Sequence, residues 1–190
     1  ERKTEKKNPP LLYNLAELQN DCSRMFKISP DETLKIVQEL YEKKLVTYPR
    51  TDARVLSTAV AKEISRNISG LKQVPDFSTF ADEVLAMGSY KNIASTRYTN
   101  DKQITDHYAI IPTGQGLGAL RSLHPQSRSV YEAICRRFLS IFYPPAQYRK
   151  LSMTLKIRTE SFYASFKVLT EEGYLKVAGM PKKVQNTQSQ

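Results

Sequence analysis

The sequence has no tryptophan, only two cysteines and only two histidines. Cys22 and Cys135 lie in separate predicted helices, and neither has a second cysteine nearby. This spacing predicts neither a disulfide framework nor a zinc site. Unpaired cysteines are typical of a reducing compartment, so we expect a cytoplasmic protein.

Long apolar runs are also missing. No stretch reaches the roughly 20 apolar residues that a membrane-spanning helix needs, and the first seven residues, ERKTEKK, lack the apolar core of a signal peptide. We therefore expect no membrane partner. Because the chain does not begin with methionine, we expect it to be an excised piece of a longer protein.

Basic residues outnumber acidic residues in this chain. The 190 residues carry 29 Lys and Arg against 19 Asp and Glu, a net charge of +10. This balance favours a polyanionic partner, with a basic solvated surface as the alternative. Nucleic acid is favoured over an anionic membrane because no basic amphipathic helix is present. A hydrophobic content of 40% suffices for one full domain and part of another.

Residues 9–143 carry repeated signals of helix formation. Asn14 with Glu17, and Ser29 with Glu32, have the spacing of capping boxes, and apolar residues recur at three-to-four spacing after each. Further helices are predicted after Ser57, from residue 76 to residue 87, and from residue 126 to residue 142. Glycines at 114, 116 and 118 do not match a phosphate-binding loop and predict a flexible connection.

The pattern changes after the proline pair at 144–145. Apolar and polar residues alternate over 151–157 and again over 162–168, which predicts a β-hairpin turning near Glu160. The predicted organisation is a linker or a strand remnant without its partners at 1–8, a helical domain at 9–143, a hairpin segment at 144–178 and a disordered tail at 179–190. The fold class is mainly α, with a β-hairpin from an adjoining domain.

Residues 45–52, LVTYPRTD, follow the predicted helix that begins near Ser29. Pro49 disfavours helical geometry at Tyr48, so the tyrosine lies at the end of a rigid helix. A tyrosine hydroxyl can attack a phosphodiester when a nearby guanidinium, here Arg50, neutralises the developing charge. Taken alone, this pattern also fits an ordinary surface loop.

Two separate blocks resemble those of one enzyme family. Residues 40–52, LYEKKLVTYPRTD, resemble the active-tyrosine motif of the type IA DNA topoisomerases, in particular the bacterial topoisomerase III branch. Residues 105–113, TDHYAIIPT, resemble the histidine-containing segment of the same family, D-H-H-A-I-I-P-T. Tyr108 stands where that pattern has its second histidine, so the role of the second imidazole does not carry over.

The resemblance implies a catalytic role for three residues. Tyr48 would attack single-stranded DNA and hold it as a 5′-phosphotyrosine, allowing ATP-independent cleavage, strand passage and rejoining. Arg50 and His107 would support the scissile phosphate. The hairpin would begin the arch that leads to the rest of the same polypeptide, and the enzyme would act as a monomer.

The resemblance also implies a cofactor outside this chain. Mg²⁺ would be bound by carboxylates of a separate toprim domain, and the sequence contains no acidic D-x-D pattern. We therefore expect no metal site in this fragment and no activity from the isolated fragment.

Residues 89–105 form a basic stretch interleaved with tyrosines, as single-stranded DNA binding would require. An ordinary mobile surface loop is the alternative. The candidate DNA-binding residues are Asp52, Arg54, Arg97, Lys102 and Arg136.

Other classes of protein fit less well. Tyrosine recombinases place a histidine before the nucleophile, whereas His107 follows Tyr48, and relaxases need clustered histidines. The remaining alternative is a noncatalytic helical module that binds single-stranded DNA or a protein. Convergence of Tyr48, Arg50 and His107 would favour the enzyme, because a binding module has no need to bring them together.

Overall fold

The structure is a computed structural model that describes residues 2–179. The chain divides into a helical unit, Pro10–Phe142, and a sheet unit made of residues 2–9 and 143–179. The predicted mainly α class with a β-hairpin is confirmed.

The helical unit follows the order of the predicted helices. Its α-helices are α1 (Leu15–Phe26), α2 (Pro30–Glu42), α3 (Thr58–Lys62), α4 (Ile64–Gly70), α5 (Ser78–Met87) and α6 (Pro125–Ser140). Short 3₁₀ helices lie at Leu71–Gln73, Ser89–Ser95, Asp101–Gln103 and Leu117–Ser122.

Side-chain caps set the beginnings of α1 and α2. The Asn14 Oδ1 atom accepts a hydrogen bond from the Glu17 backbone N–H at 2.8 Å, and the Ser29 hydroxyl accepts one from the Glu32 N–H at 3.2 Å. Each cap satisfies a donor that the first helical turn leaves unpaired. The apolar spacing of α2 predicts that Tyr41 is buried, but this residue is 39% exposed.

The helix predicted after Ser57 is divided in two. Ser57 caps α3 as expected, but Glu63 adopts φ −108° and ψ 10°, which ends α3 and starts α4 in a new direction. Ile64 and Ile68 are buried as the spacing predicts. The interruption leaves the end of α4, Gly70, in contact with the segment after His107.

Helix α6 packs against α1, α2 and α5 and forms the centre of the helical core. Val130, Ile134 and Phe138 are fully buried. His124 caps the helix, because its Nδ1 atom accepts a hydrogen bond from the Gln126 N–H at 3.3 Å. His124 is therefore a helix-entry residue, as its position before Pro125 indicates.

Arg137 of α6 anchors the extended segment that leads into α1. Its guanidinium donates to the Leu11 carbonyl at 2.9 Å, pairs with Asp21 at 3.0 Å and lies 4.2 Å from the centre of the Tyr13 ring. The Tyr13 hydroxyl donates to Asp21, and burial raises the pKa of Tyr13, so this phenol stays protonated. The Tyr13 carbonyl in turn accepts from the Ile110 N–H at 2.8 Å.

The sheet unit is a three-stranded antiparallel sheet in the order β1-β2-β3. Its strands are β1 (Arg2–Lys7), β2 (Ala146–Ile157) and β3 (Glu160–Glu171), and α7 (Leu175–Ala178) follows. Residues 2–7 therefore form a strand, which is the second of the two possibilities that the sequence left open, and not a linker. The strand has its partner within this chain, because β1 pairs with residues 146–151. Its own charged sequence has no alternating pattern that would have predicted this pairing.

The predicted hairpin is confirmed as β2 and β3. Its turn lies at residues 158–159, with Arg158 at φ 61°, slightly before the predicted position. Cross-strand pairs such as Leu155 with Phe162 form an apolar face on which both side chains are about half exposed. Except for Gly179, the tail predicted at 179–190 lies outside the described residues.

Gly70 and Gly114 bring two backbone segments into close contact. A Cβ atom at Gly70 would lie 2.2 Å from the Gly114 carbonyl oxygen and 2.4 Å from its Cα atom. Gly114 itself has φ +76°, a conformation that side chains other than glycine rarely adopt. The glycines after His107 therefore form a tight contact and not the flexible connection that the sequence predicts.

Substitution of Gly70 tests this contact. We expect Gly70→Ala to destabilise the fold by about 1–3 kcal/mol, because the added methyl group meets backbone atoms that cannot rotate away. Gly118→Ala is the matched control, since no atom lies within 4 Å of its added Cβ. The free energy of unfolding in urea measures both. Equal stability of the two variants would contradict the close approach.

Candidate active site

Thr47 joins the tyrosine block to the histidine block. Its hydroxyl donates to the Ala109 carbonyl at 2.9 Å and accepts from the Ile111 N–H at 2.9 Å. The Thr47 backbone N–H donates to the Ile111 carbonyl at 3.0 Å. One residue thus makes three hydrogen bonds to the segment that carries His107.

Two further threonines extend this connection in both directions. The Thr113 hydroxyl donates to the Lys44 carbonyl at 2.6 Å, and the Thr51 hydroxyl donates to the His107 carbonyl at 3.2 Å. The backbone of residues 44–51 is therefore tied to that of residues 107–113 on both sides of Tyr48. Sequence reasoning did not identify the threonines of either block as the residues that join them.

This connection places Tyr48 against His107. The centres of the two rings are 4.3 Å apart, with 39° between their planes. Tyr41, at the end of α2, meets Tyr48 edge-on at 5.3 Å and 81°. Tyr48 is half-buried between these two rings, which fix the orientation of its own ring. The exposed part of the side chain can be reached by a ligand.

An open cavity of about 410 Å³ lies beside Tyr48. Nine residues of the described chain line it, and none is acidic, so the cavity is compatible with an anionic ligand. These lining residues are Tyr41, Lys44, Val46, Thr47, Tyr48, His107, Tyr108, Thr113 and Gln115.

Arg50 is not among the lining residues. Its side chain is exposed and makes no hydrogen bond or ion pair with any part of the chain that the structure describes. Of the three predicted catalytic residues, the structure therefore brings Tyr48 and His107 together and leaves Arg50 in solvent two positions away in sequence. Its guanidinium is available to bind a phosphate group.

A family model described as DNA topoisomerase matches residues 1–190, the whole chain. The chain belongs to the DNA topoisomerase family. The family predicted from the two sequence blocks is thereby confirmed.

Relatives with curated names are similar over nearly the whole chain. The DNA topoisomerase 3 of Bacillus licheniformis is 38% identical over 175 residues, which are 91% of this chain and 23% of that protein. The DNA topoisomerase 3 of Bacillus subtilis is 37% identical over 183 residues, 94% of this chain and 24% of that protein. This topoisomerase chain thus spans about a quarter of the length of these relatives.

A solved structure is also similar. Full-length topoisomerase I from Thermotoga maritima matches 96% of this chain and 29% of its own chain, with a TM-score of 0.67 and 25% sequence identity. The similarity covers both units of the fold described above.

Arg54 and Asp52, two candidate DNA-binding residues of this topoisomerase chain, differ in their surroundings. The Arg54 guanidinium donates to the Leu12 carbonyl at 3.1 Å and the Leu11 carbonyl at 3.3 Å, and lies 3.9 Å from a Glu17 carboxylate oxygen. Its donors therefore hold the segment before α1. Asp52 is exposed, and its carbonyl accepts from the Asn14 side chain at 3.1 Å.

The other three candidates, Arg97, Lys102 and Arg136, are exposed. The Arg97 guanidinium lies 5.3 Å from the centre of the Tyr98 ring. Tyr98 itself is only 6% exposed, so its ring packs inside the helical unit and offers no face for a base. The tyrosine-rich stretch that contains it is therefore a weaker stacking surface than its composition indicates.

Sequence reasoning missed several residues that surround Tyr48. Tyr41, Lys44 and Gln115 line the cavity, although none was a candidate. The sequence signal for Tyr41 was its position, because it lies seven residues before Tyr48 in the last turn of α2. Tyr108, in place of the second histidine, also lines the cavity, and burial raises the pKa of its phenol.

The acidic, histidine and cysteine side chains of residues 2–179 are dispersed. No three Asp, Glu, His or Cys side chains gather there in a group that could hold a metal ion. None of the helices in this part of the chain combines the length and apolar character of a membrane span.

Removing the Thr47 hydroxyl should weaken the link between the two blocks. We expect Thr47→Val to lower the free energy of unfolding by about 1–3 kcal/mol, because the Ala109 carbonyl and the Ile111 N–H each lose a partner. Thr47→Ser, which keeps the hydroxyl, should lose clearly less. Urea denaturation of both variants is the measurement, and equal losses would show that the hydroxyl does not carry the link.

Proposed function

We propose that this chain carries the nucleophile of a type IA DNA topoisomerase that cleaves and rejoins single-stranded DNA through a 5′-phosphotyrosine. The observation that carries this proposal is the contact of Tyr48 with His107, at 4.3 Å between ring centres, beside an open cavity without acidic lining. Membership of the DNA topoisomerase family supports it.

The proposed reaction is a transesterification. The Tyr48 hydroxyl oxygen attacks the phosphorus of a backbone phosphodiester, and the bond from phosphorus to the 3′ oxygen breaks. The phenol loses its proton as the new bond forms, and the departing 3′ oxygen gains one. In the reverse step the 3′ hydroxyl attacks the phosphotyrosine and restores the strand. One phosphodiester is exchanged for another, so no nucleotide is hydrolysed.

Arg50 and His107 are proposed to stabilise the phosphate during this exchange. Negative charge grows on the non-bridging oxygens, and preorganised donors at that position lower the barrier. His107 is held by the hydrogen bond that its carbonyl accepts from Thr51. The exposed Arg50 guanidinium offers a planar pair of donors that matches two phosphate oxygens.

The proposal assigns other steps to the remainder of the polypeptide. Mg²⁺ and the carboxylates that bind it belong to a toprim domain outside this chain, and supply leaving-group stabilisation when bound. We therefore propose that the isolated chain forms no covalent adduct with DNA. We further propose that the enzyme acts as a monomer in the cytoplasm, a location compatible with the buried, unpaired Cys22 and Cys135.

A noncatalytic binding module explains less. Such a module would need the net charge of +10, but it would not need a tyrosine hydroxyl held against an imidazole. The contact between two separate sequence blocks at one cavity favours the enzyme.

Tyr48→Phe in the full-length enzyme tests the nucleophile. We expect it to abolish covalent capture of labelled single-stranded DNA on a denaturing gel, because the attacking oxygen is lost. The ring contacts with His107 and Tyr41 remain, so the Kd for the same oligonucleotide should change by no more than about twofold. A Phe variant that still traps DNA would overturn the assignment.

Substitutions of His107 and Arg50 test phosphate support. We expect His107→Ala to slow both cleavage and rejoining by about 100-fold, as loss of one preorganised donor does. His107→Gln, which keeps an N–H donor, should retain more activity. Arg50→Lys should cleave faster than Arg50→Ala but slower than wild type, because a point charge replaces a bidentate group.

Single-turnover rates of cleavage and rejoining measure these effects, with Kd determined separately. Wild-type rates in both His107→Ala and Arg50→Ala would refute the roles given to these residues. Slower rates that arise wholly from weaker DNA binding would equally refute phosphate support in the transition state.

A further inference from the structure

Three side chains around the cavity beside Tyr48 have polar groups that make no hydrogen bond within the described residues. Tyr41, Lys44 and Gln115 line it, and none makes a side-chain hydrogen bond or ion pair within residues 2–179. Lys44 and Gln115 are exposed, and the Tyr41 ring is 39% exposed. The proposed transesterification uses none of the three.

The backbone at Lys44 is held in a strained conformation. Its φ of 64° lies in the left-handed region, where Gly or Asn would be preferred over lysine. The Lys44 N–H donates to the Tyr41 carbonyl at 2.9 Å, and its carbonyl accepts from the Thr113 hydroxyl at 2.6 Å. Strain that surrounding contacts maintain at a site is a reason to look for a function of the strained residue.

Close packing on the other side also fixes this position. A Cβ atom at Gly116 would lie 2.5 Å from the Lys43 carbonyl oxygen and 3.2 Å from the Lys44 carbonyl oxygen. Gly116 has φ +70°, so both its conformation and its contacts favour glycine. The segment that follows the histidine block therefore packs closely against the Lys44 backbone at the edge of the cavity.

The chemistry of this group matches one nucleotide of a single strand. An ammonium binds a backbone phosphate, an exposed tyrosine ring stacks on a base, and a glutamine amide both donates and accepts hydrogen bonds at a base edge. The absence of acidic lining residues removes a source of repulsion. The half-buried Tyr108 adds a further aromatic ring to the wall of the same cavity.

We propose that Tyr41, Lys44 and Gln115 form a nucleotide-binding subsite that holds the DNA strand next to the phosphate attacked by Tyr48. Lys44 contacts a backbone phosphate adjoining the scissile one, and Tyr41 supports the neighbouring base. The subsite rests on the proposed function, because it aligns the strand for the Tyr48 hydroxyl. It assigns the left-handed lysine a role in fixing where along the strand the enzyme cuts.

Lys27 provides a matched control for Lys44. It is also an exposed lysine with a left-handed backbone, φ 58°, but it ends α1 and does not line the cavity. Lys27→Asn and Lys44→Asn therefore remove the same charge and make the same change at the same kind of backbone position. Asn tolerates this conformation, so both variants should fold, which thermal unfolding checks.

The first experiment measures the salt dependence of binding. Full-length enzyme carrying Tyr48→Phe, which cannot cleave, is titrated with a labelled single-stranded oligonucleotide at several salt concentrations. In that background we expect Lys44→Asn to flatten the slope of log K against log salt by about 0.7, the value for one phosphate contact on a single strand. Lys44→Arg, which keeps the positive charge, should keep the slope seen with Lys44. Lys27→Asn should also leave that slope unchanged.

A second experiment locates the base. Oligonucleotides with one abasic nucleotide, moved stepwise past the cleavage position, are bound to the same background with and without Tyr41→Leu. At one position the abasic site should weaken binding by about 5- to 150-fold with Tyr41 present. That loss should largely disappear when Tyr41 is replaced. The affected position identifies the nucleotide in the subsite.

The outcomes separate this proposal from the proposed function. If Lys44→Asn changes the salt slope no more than Lys27→Asn, the phosphate contact is refuted. If no abasic position depends on Tyr41, the base contact is refuted. Either result leaves the function intact as long as wild-type enzyme forms a covalent adduct that Tyr48→Phe does not form. Loss of that difference would refute the function itself.

Discussion

The hydrogen bonds of the Thr47 hydroxyl are the constraint on which the site depends. Tyr48 follows a helix, and His107 belongs to a segment about sixty residues later that contains no helix of its own. Without a fixed register between the two segments, their rings would have no defined separation. A hydroxyl that both donates and accepts fixes that register, because a slip by one residue would lose both bonds.

The site combines rigid and adaptable parts. Helix α2 is packed on α1 and α6, and it delivers Tyr41 and then Tyr48 to the same cavity. Arg137 of α6 holds the segment whose Tyr13 carbonyl pairs with Ile110, so the histidine block is also tied to the core. Arg50 and Lys44 remain exposed at the end of this framework. The structure thus fixes Tyr48 and leaves these two cationic side chains exposed to solvent.

Local signals in the sequence predicted what depends on local interactions. The caps at Asn14 and Ser29, the hairpin and the helix entry at His124 were all correct. The pairing of strand β1 was missed, because its partner lies about 140 residues away and its own residues are charged. The role of Arg54 was equally hidden, because its acceptors are backbone carbonyls that no sequence pattern distinguishes.

The two glycines that follow the histidine block show a further limit of prediction from the sequence. The sequence predicts a flexible backbone at Gly114 and Gly116, yet a Cβ atom added at either glycine would come within 3 Å of a backbone atom. Both follow Thr113, whose hydroxyl donates to the Lys44 carbonyl. Close packing at these glycines therefore holds a lysine in a left-handed conformation at the edge of the cavity. Asn or Gly would adopt this conformation with less strain, but only lysine adds a positive charge at the edge of the cavity beside Tyr48.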